Sequence, residues 1–225
     1  MNKNQPEDIV NQRARQQRSI KTRTKIISSA VIEFADHGFE AASTRQIAKN
    51  AGVQHTLINY HFKNKDGLWK AAISDLYERF EEMYTSRLSG LRGVDTSTKL
   101  RLILEDFIHF GANNPHFHWL MAHEASKGGK RMDWLLKTYI KEFIDLITSM
   151  IKEAQIEGRF VQGDPYHLLY VFVGAVSHLY MLASEVEKVA RVSPSSQKFL
   201  EKHIDLCIGL FFVTEIDPST VPPTS

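Results

Sequence analysis

Between Ser43 and Phe62 the chain has room for two short helices and one tight turn, and for little else. Ser43-Thr44-Arg45-Gln46 reads as a capping box, in which the Ser43 hydroxyl closes the helix start and Gln46 reaches back to it. That helix turns Ile47, Ala48 and Ala51 to one side and stops at Gly52, where a left-handed cap is expected. A brief second helix follows, from about His55 to His61. Ile47, Ala48, Val53, Ile58 and Phe62 are the expected contacts that fix the angle between the pair, and the small Ala48 and Ala51 permit close approach. Upstream, from about Thr22, Ile26, Ile27, Ala30, Val31 and Phe34 share one helical face, and Gly38 ends the run. Three helices so arranged form a helix-turn-helix unit. Asn64 then caps a long helix starting near Lys65, with Leu68, Ala72, Leu76 and Phe80 on one stripe.

Nothing in the rest of the chain alternates with a period of two for long enough to make a sheet. Helical periodicity predicts further helices over about 97–113, 116–125, 132–157, 165–189 and 196–215. The breaks fall at Asn113-Asn114-Pro115, Lys127-Gly128-Gly129-Lys130, Gly158 to Pro165 and Ser193-Pro194. The expected fold class is all-α: an N-terminal three-helix helix-turn-helix domain and a larger C-terminal helical domain. The expected division is a flexible basic arm over 1–20, the helix-turn-helix domain over 21–66, the larger domain over 67–216 and a disordered proline-bearing tail over 217–225. With 43% hydrophobic and 24% charged residues, wholesale disorder is excluded. The single cysteine, Cys207, allows no intrachain disulfide, and the polar N-terminus offers no signal-peptide core, so a cytoplasmic protein is expected. The longest apolar stretch, Leu168 to Ala183, is too short for a bilayer and reads as a buried helix.

Charge is unevenly distributed. Residues 1–65 hold 11 Lys/Arg against 5 Asp/Glu, whereas the remainder holds 17 against 21. One end is therefore suited to a polyanion. On the second short helix and its approach, Gln54, His55, Thr56, Asn59, Tyr60 and His61 are polar or amphipathic. Gln and Asn can pair bidentately with adenine in the major groove, and Thr, Tyr and His reach phosphates or base edges. Thr44 and Lys65 open helices, where a phosphate meets free N–H groups, and Arg45 stands beside Thr44. Arg13, Arg15, Arg18 and Arg23 are placed to contact backbone or minor groove.

Residues 22–72 resemble the DNA-binding segment of TetR-family regulators. The resemblance runs through Ile26-Ile27-x-x-Ala30-x-x-x-Phe34-x-x-x-Gly38-Phe39, then Thr44-x-x-Ile47-Ala48-x-x-Ala51-Gly52-Val53, then Ile58-x-Tyr60-His61-Phe62-x-x-Lys65-x-x-Leu68. It implies a homodimer on a palindromic double-stranded operator, released by a small-molecule effector held in the C-terminal body, most commonly a repressor. It also implies phosphate contacts for Thr44, Tyr60 and Lys65, with His61 beside them. Asn59, Leu57, Thr56 and Gln54 depart from the family's commoner residues, so the operator sequence does not transfer.

The last two helices carry apolar stripes: Val171, Gly174, Ala175, His178 and Met181 on one, Phe199, His203, Leu206, Leu210 and Val213 on the other. By spacing alone these face either the chain's own core or a partner; the resemblance implies a four-helix dimer interface. His109, Phe110, Phe117, Trp119, His123, Trp134, Tyr139, Phe143 and Tyr170 make the middle helices rich in aromatic and imidazole groups, expected either as core or as the lining of an effector site. His116, His118, His123 and Glu124 lack a spacing that converges on a metal, so neither metal nor cofactor is expected. Glu-x-x-His pairs and a phosphate-binding glycine loop are both missing, which argues against an enzyme. The remaining alternative is a DNA-binding accessory protein without an effector.

Overall fold

The computed structural model describes residues 6–213, with side chains from Asn11 onward. The tail expected over 217–225 lies outside the described residues. The elements are helices α1 (Pro6–Ala41), α2 (Thr44–Ala51), α3 (Thr56–Phe62), α4 (Lys65–Gly90), α5 (Thr96–Asn113) and α6 (Pro115–Lys127). They continue with α7 (Lys130–Leu135), one wide π turn (Leu136–Ile140), α8 (Lys141–Ile156), α9 (Pro165–Met181), α10 (Ala183–Ala190) and α11 (Gln197–Phe211). Apart from an antiparallel bridge between Phe160 and Phe212, the described residues are helices and turns.

The chain forms two compact units, residues 1–79 with 119–126, and residues 80–118 with 127–225. The first boundary falls after Arg79, not after residue 66 as the sequence suggested. The reason is apolar: Leu68, Trp69, Ala72, Ile73 and Leu76 of α4 are all buried in the first unit. There they join Ile26, Ile27, Ala30 and Phe34 of α1, Ile47 and Ala48 of α2, Ile58 and Phe62 of α3, and Leu120 of α6. Each Leu, Ile or Phe of this set contributes about 1.5–3 kcal/mol on leaving water. The tail of α6 is tied in by the Tyr77 hydroxyl donating to Met121 Sδ (3.0 Å) and by His123 Nε2 on the Ala35 carbonyl (3.1 Å).

The second unit is built around α5, whose Leu100, Ile103, Leu104, Phe107, Ile108 and Phe110 are buried. Ile147, Met150 and Ile151 of α8, Leu169, Phe172 and Val176 of α9, and Leu200, Ile208 and Phe211 of α11 complete its core. Short polar side chains start the helices: Asp95 accepts from Thr98 N (2.9 Å) before α5, and Asp164 from His167 N (2.8 Å) before α9. Three differences from expectation stand out. Residues 6–20, expected as a flexible arm, are helical and continuous with α1. The helix expected over 132–157 begins at Lys130 and contains the π turn. The helix expected over 165–189 breaks at Leu182, bending by 71° between α9 and α10, with no proline or glycine at the break. Among the described residues no single helix is long and apolar enough to cross a membrane.

Candidate nucleic-acid interface

The geometry of α2 and α3 follows from their caps. Ser43, in an extended conformation, accepts from Gln46 N (3.3 Å). The second half of the expected capping box is not formed. Gln46 donates to Asn50 Oδ1 (2.8 Å), and the Ser43 N–H goes to Glu33 Oε1 (2.9 Å). Glu33 is buried in α1, so a carboxylate from the supporting helix fixes where α2 begins. A charge set among Ile26, Ala30 and Phe34 was the available signal for this role. At the far end Gly52, at φ 66°, caps α2, and Val53 N returns to the Ala48 carbonyl (3.0 Å). Ile47 and Ile58 are fully buried beneath the two helices, which locks their crossing.

That support leaves a polar surface outside. Arg45, Gln54, Thr56, Asn59 and Tyr60 are exposed, Tyr60 at 75%. Thr44 and His55 are half-buried and engage each other, Thr44 Oγ1 lying 3.0 Å from His55 Nε2. This contact joins the starts of α2 and α3. The Thr44 hydroxyl is left to donate to a phosphate only when His55 Nε2 itself carries the hydrogen. His61 sits edge-on to Tyr60 at 5.0 Å, and burial, with the nearby Arg23 charge, lowers its pKa.

Lys65 does more than open α4. Its ammonium donates to the Glu40 carbonyl (3.0 Å) and lies 5.0 Å over the Phe39 ring, which in turn meets Trp69 edge-on at 6.3 Å. Asn64 Oδ1 accepts from Gly67 N (2.8 Å) and caps α4 as the sequence suggests. Lys65 therefore holds the chain after Gly38 against α4. Lys65→Met, which keeps the stem over Phe39 and removes the charge, is expected to weaken binding to all DNA sequences alike and to lower the log–log salt slope by about 1. Fluorescence anisotropy across a salt series reads this; a loss confined to one sequence would contradict it.

The body residues singled out from sequence are distributed between the units. Trp119 and His123 belong to the first. In the second, Phe80 is ringed by Tyr84, Phe107, Phe110 and Phe143 at 5.1–5.8 Å, and Phe110 meets Phe117 at 5.5 Å. Trp134 and Tyr139 pair with each other at 5.7 Å, His109 is half-buried and Tyr170 is 59% exposed. His118, not among the site residues expected from sequence, lies parallel to Tyr180 at 5.5 Å, and both are buried. Burial lowers the His118 pKa to about 4 and raises that of Tyr180 to about 12. On α9 and α11, Val171 (49%), Leu206 (61%) and Leu210 (58%) are exposed along with Gly174 and His178, while Met181, Phe199 and His203 are half-buried. No group of three or more His, Cys, Asp or Glu side chains is gathered to hold a metal among the described residues.

Residues 26–72 match the family model described as bacterial regulatory proteins, tetR family. The chain is 23% identical over 186 residues to a probable HTH-type transcriptional regulator, YttP, of Bacillus subtilis (strain 168), covering 83% of this chain and 90% of that protein. It is 24% identical over 193 residues to the HTH-type transcriptional regulator RutR of Escherichia coli (strain K12), covering 84% and 88%. Among solved structures it is similar to a TetR-like transcriptional regulator from Rhodococcus sp. RHA1, with a TM-score of 0.63, 19% identity and coverage of 84% and 92%. It is also similar to AibR in complex with isovaleryl coenzyme A and operator DNA, with a TM-score of 0.69, 20% identity and coverage of 85% and 98%.

Proposed function

We propose that this chain is a regulator of the TetR family, a ligand-responsive repressor acting as a homodimer on a palindromic operator; the match of residues 26–72 to the family model and the likeness to curated transcriptional regulators support the reading. One observation carries the reading. Thr56, Asn59 and Tyr60 stand exposed on a helix whose underside, Ile58, is fully buried, with Gln54 exposed in the turn that leads into it, so a polar face is presented rigidly to a major groove. Asn59 and Gln54 read base edges, and Thr44, Arg45, Tyr60 and Lys65 hold phosphates. The exposed Val171, Leu206 and Leu210 on α9 and α11 support a two-fold interface between copies, since an apolar face of this kind is costly to leave in water.

The effector reading rests on the second unit. Its aromatic rings provide apolar walls, and the buried Tyr180 hydroxyl, which has no hydrogen-bond partner among the described residues, is a group that a ligand oxygen or nitrogen would satisfy. An effector bound there would favour a conformer with mis-spaced reading heads. Close ring contacts around Phe80 favour the second reading, a DNA-binding protein without an effector.

Selection of bound duplexes from a random DNA pool tests the proposal. A palindromic motif with half-sites about one helical turn apart is expected, and motif-free, salt-sensitive binding would overturn it. With the operator in hand, a small-molecule screen by fluorescence polarisation separates the two readings: a compound that binds the protein and releases the duplex supports the effector. Compounds that bind without changing operator affinity leave only the accessory role.

A further inference from the structure

Residues 11–25 of α1 contribute no buried side chain to the core of the first unit. From Asn11 to Lys25 side chains are exposed throughout, except for the partly covered Ala14 and Thr22, and the apolar core of the unit begins only at Ile26. Yet this stretch carries Arg13, Arg15, Arg18, Lys21, Arg23 and Lys25 and no Asp or Glu. None of the ion pairs described in the structure involves any of these six cations. Four turns of helix with one sign of charge repel themselves, and nothing described within the chain offsets that repulsion.

Its position is given by Arg23. The Arg23 guanidinium lies 5.5 Å over the ring of Phe62, the last residue of α3, and its charge is felt by His61. The basic helix therefore leaves the first unit beside the C-terminal end of the helix that presents Asn59 and Tyr60. Twelve residues at about 1.5 Å each carry it roughly 18 Å outward, the length of about five base pairs. The helix is continuous with the packed part of α1, so its nucleation is already provided and the arm is presented as a rod.

We propose that residues 11–25 are a second DNA contact: a basic helical arm that lies on the phosphates of the duplex flanking the half-site read by α3. The contact is sequence-independent, because arginine and lysine on phosphate position a protein without reading bases. It rests on the DNA-binding reading above. Ala14, Arg18, Lys21 and Lys25, spaced by four, three and four residues, form one stripe along the rod, and Arg13 and Arg15 flank it.

The test uses the full chain and a variant carrying Arg13→Gln, Arg15→Gln, Arg18→Gln and Lys21→Gln. Glutamine keeps helix propensity and removes charge, and all four sites are exposed, so folding is preserved. The probes are two duplexes built on the motif selected from the random pool, one trimmed at its edges and one extended by about eight base pairs on each side. The unsubstituted chain is expected to bind the extended duplex at least about tenfold more tightly than the trimmed one. The variant should gain nothing from the extension, with a log–log salt slope lower by about 3–4 per bound chain on the extended duplex. Equal gains and equal slopes for both proteins would overturn the arm while leaving sequence-specific binding intact. Failure of the unsubstituted chain to select any motif would instead overturn the regulator reading, and the flanking contact with it.

Discussion

A Gly67→Ala chain is expected to lose DNA binding and to melt roughly 6–12 °C below the unsubstituted protein. A Cβ at position 67 would stand 2.2 Å from the carbonyl oxygen of Phe62 and 3.3 Å from its carbonyl carbon. Both atoms are backbone, so no side-chain rotation relieves the clash. Either the first turn of α4 lifts away from the last turn of α3, or the α3 C-terminus unwinds. Both shifts disturb Leu68 and Trp69, which follow directly and are fully buried, and both disturb the presentation of Asn59 and Tyr60. Overpacking with backbone displacement costs about 3 kcal/mol. Gly90→Ala at the other end of the same helix is the internal control: nothing lies within 4 Å of its added Cβ, and its stability should be unchanged or slightly higher. Thermal melts followed by circular dichroism, with anisotropy for binding, compare the two. Near-identical behaviour of the two variants would show that the α3–α4 approach is not as close as described.

The second large effect is a loss of stability in mild acid. Burial holds the His118 imidazole at a pKa of about 4, with the Gly111 backbone opposing the shift only in part. The unfolded chain takes up its proton near the ordinary value of 6.5. Above about pH 6.5 the ring is neutral in both states and the stability is fully present. Between about 6.5 and 4 the unfolded state binds the extra proton, and stability falls by about 1.4 kcal/mol per pH unit. Below about 4 this contribution is exhausted, after a total on the order of 3 kcal/mol. His203, also lowered by burial, acts in the same direction, so the comparison that isolates His118 is with His118→Gln. Urea denaturation at pH 7, 5.5 and 4.5 should show the two proteins converging as the pH falls. Parallel curves would mean that His118 is protonated at its ordinary pH in the folded protein. The same ring sets the tolerance of Gly111, where an added Cβ would come within 2.4 Å of His118 Nε2.

What could be read in the sequence was mostly local. Ser43, Gly52, Gly38 and Asn64 mark turns and caps through their own backbone or side-chain chemistry, so the helix-turn-helix was visible as far as its boundaries. The tertiary partners were not. Glu33 displaced Gln46 from the Ser43 N–H because a carboxylate ten residues upstream is brought to it by packing, which no local pattern encodes. The α1 arm was read as flexible because its residues show no apolar periodicity; they are good helix formers on a helix anchored further along. Among the body residues, Phe110, Phe117 and Phe143 form one aromatic cluster, as their type suggested. His123 instead spends its ring nitrogen on Ala35, and the break at Leu182 has no residue that announces it.

The grouping of residues 119–126 with residues 1–79 has a consequence for how such proteins diversify. A single genetic crossover anywhere between positions 79 and 119 parts Tyr77 from Met121 and Ala35 from His123, and so delivers a reading head whose last wall comes from a stranger. Exchange of the intact first unit by recombination therefore requires two exchanges, or one exchange followed by repair of a short patch in α6. On the proposed reading of the α3 surface, point substitution on its exposed face needs neither, and is the shorter route to a new target.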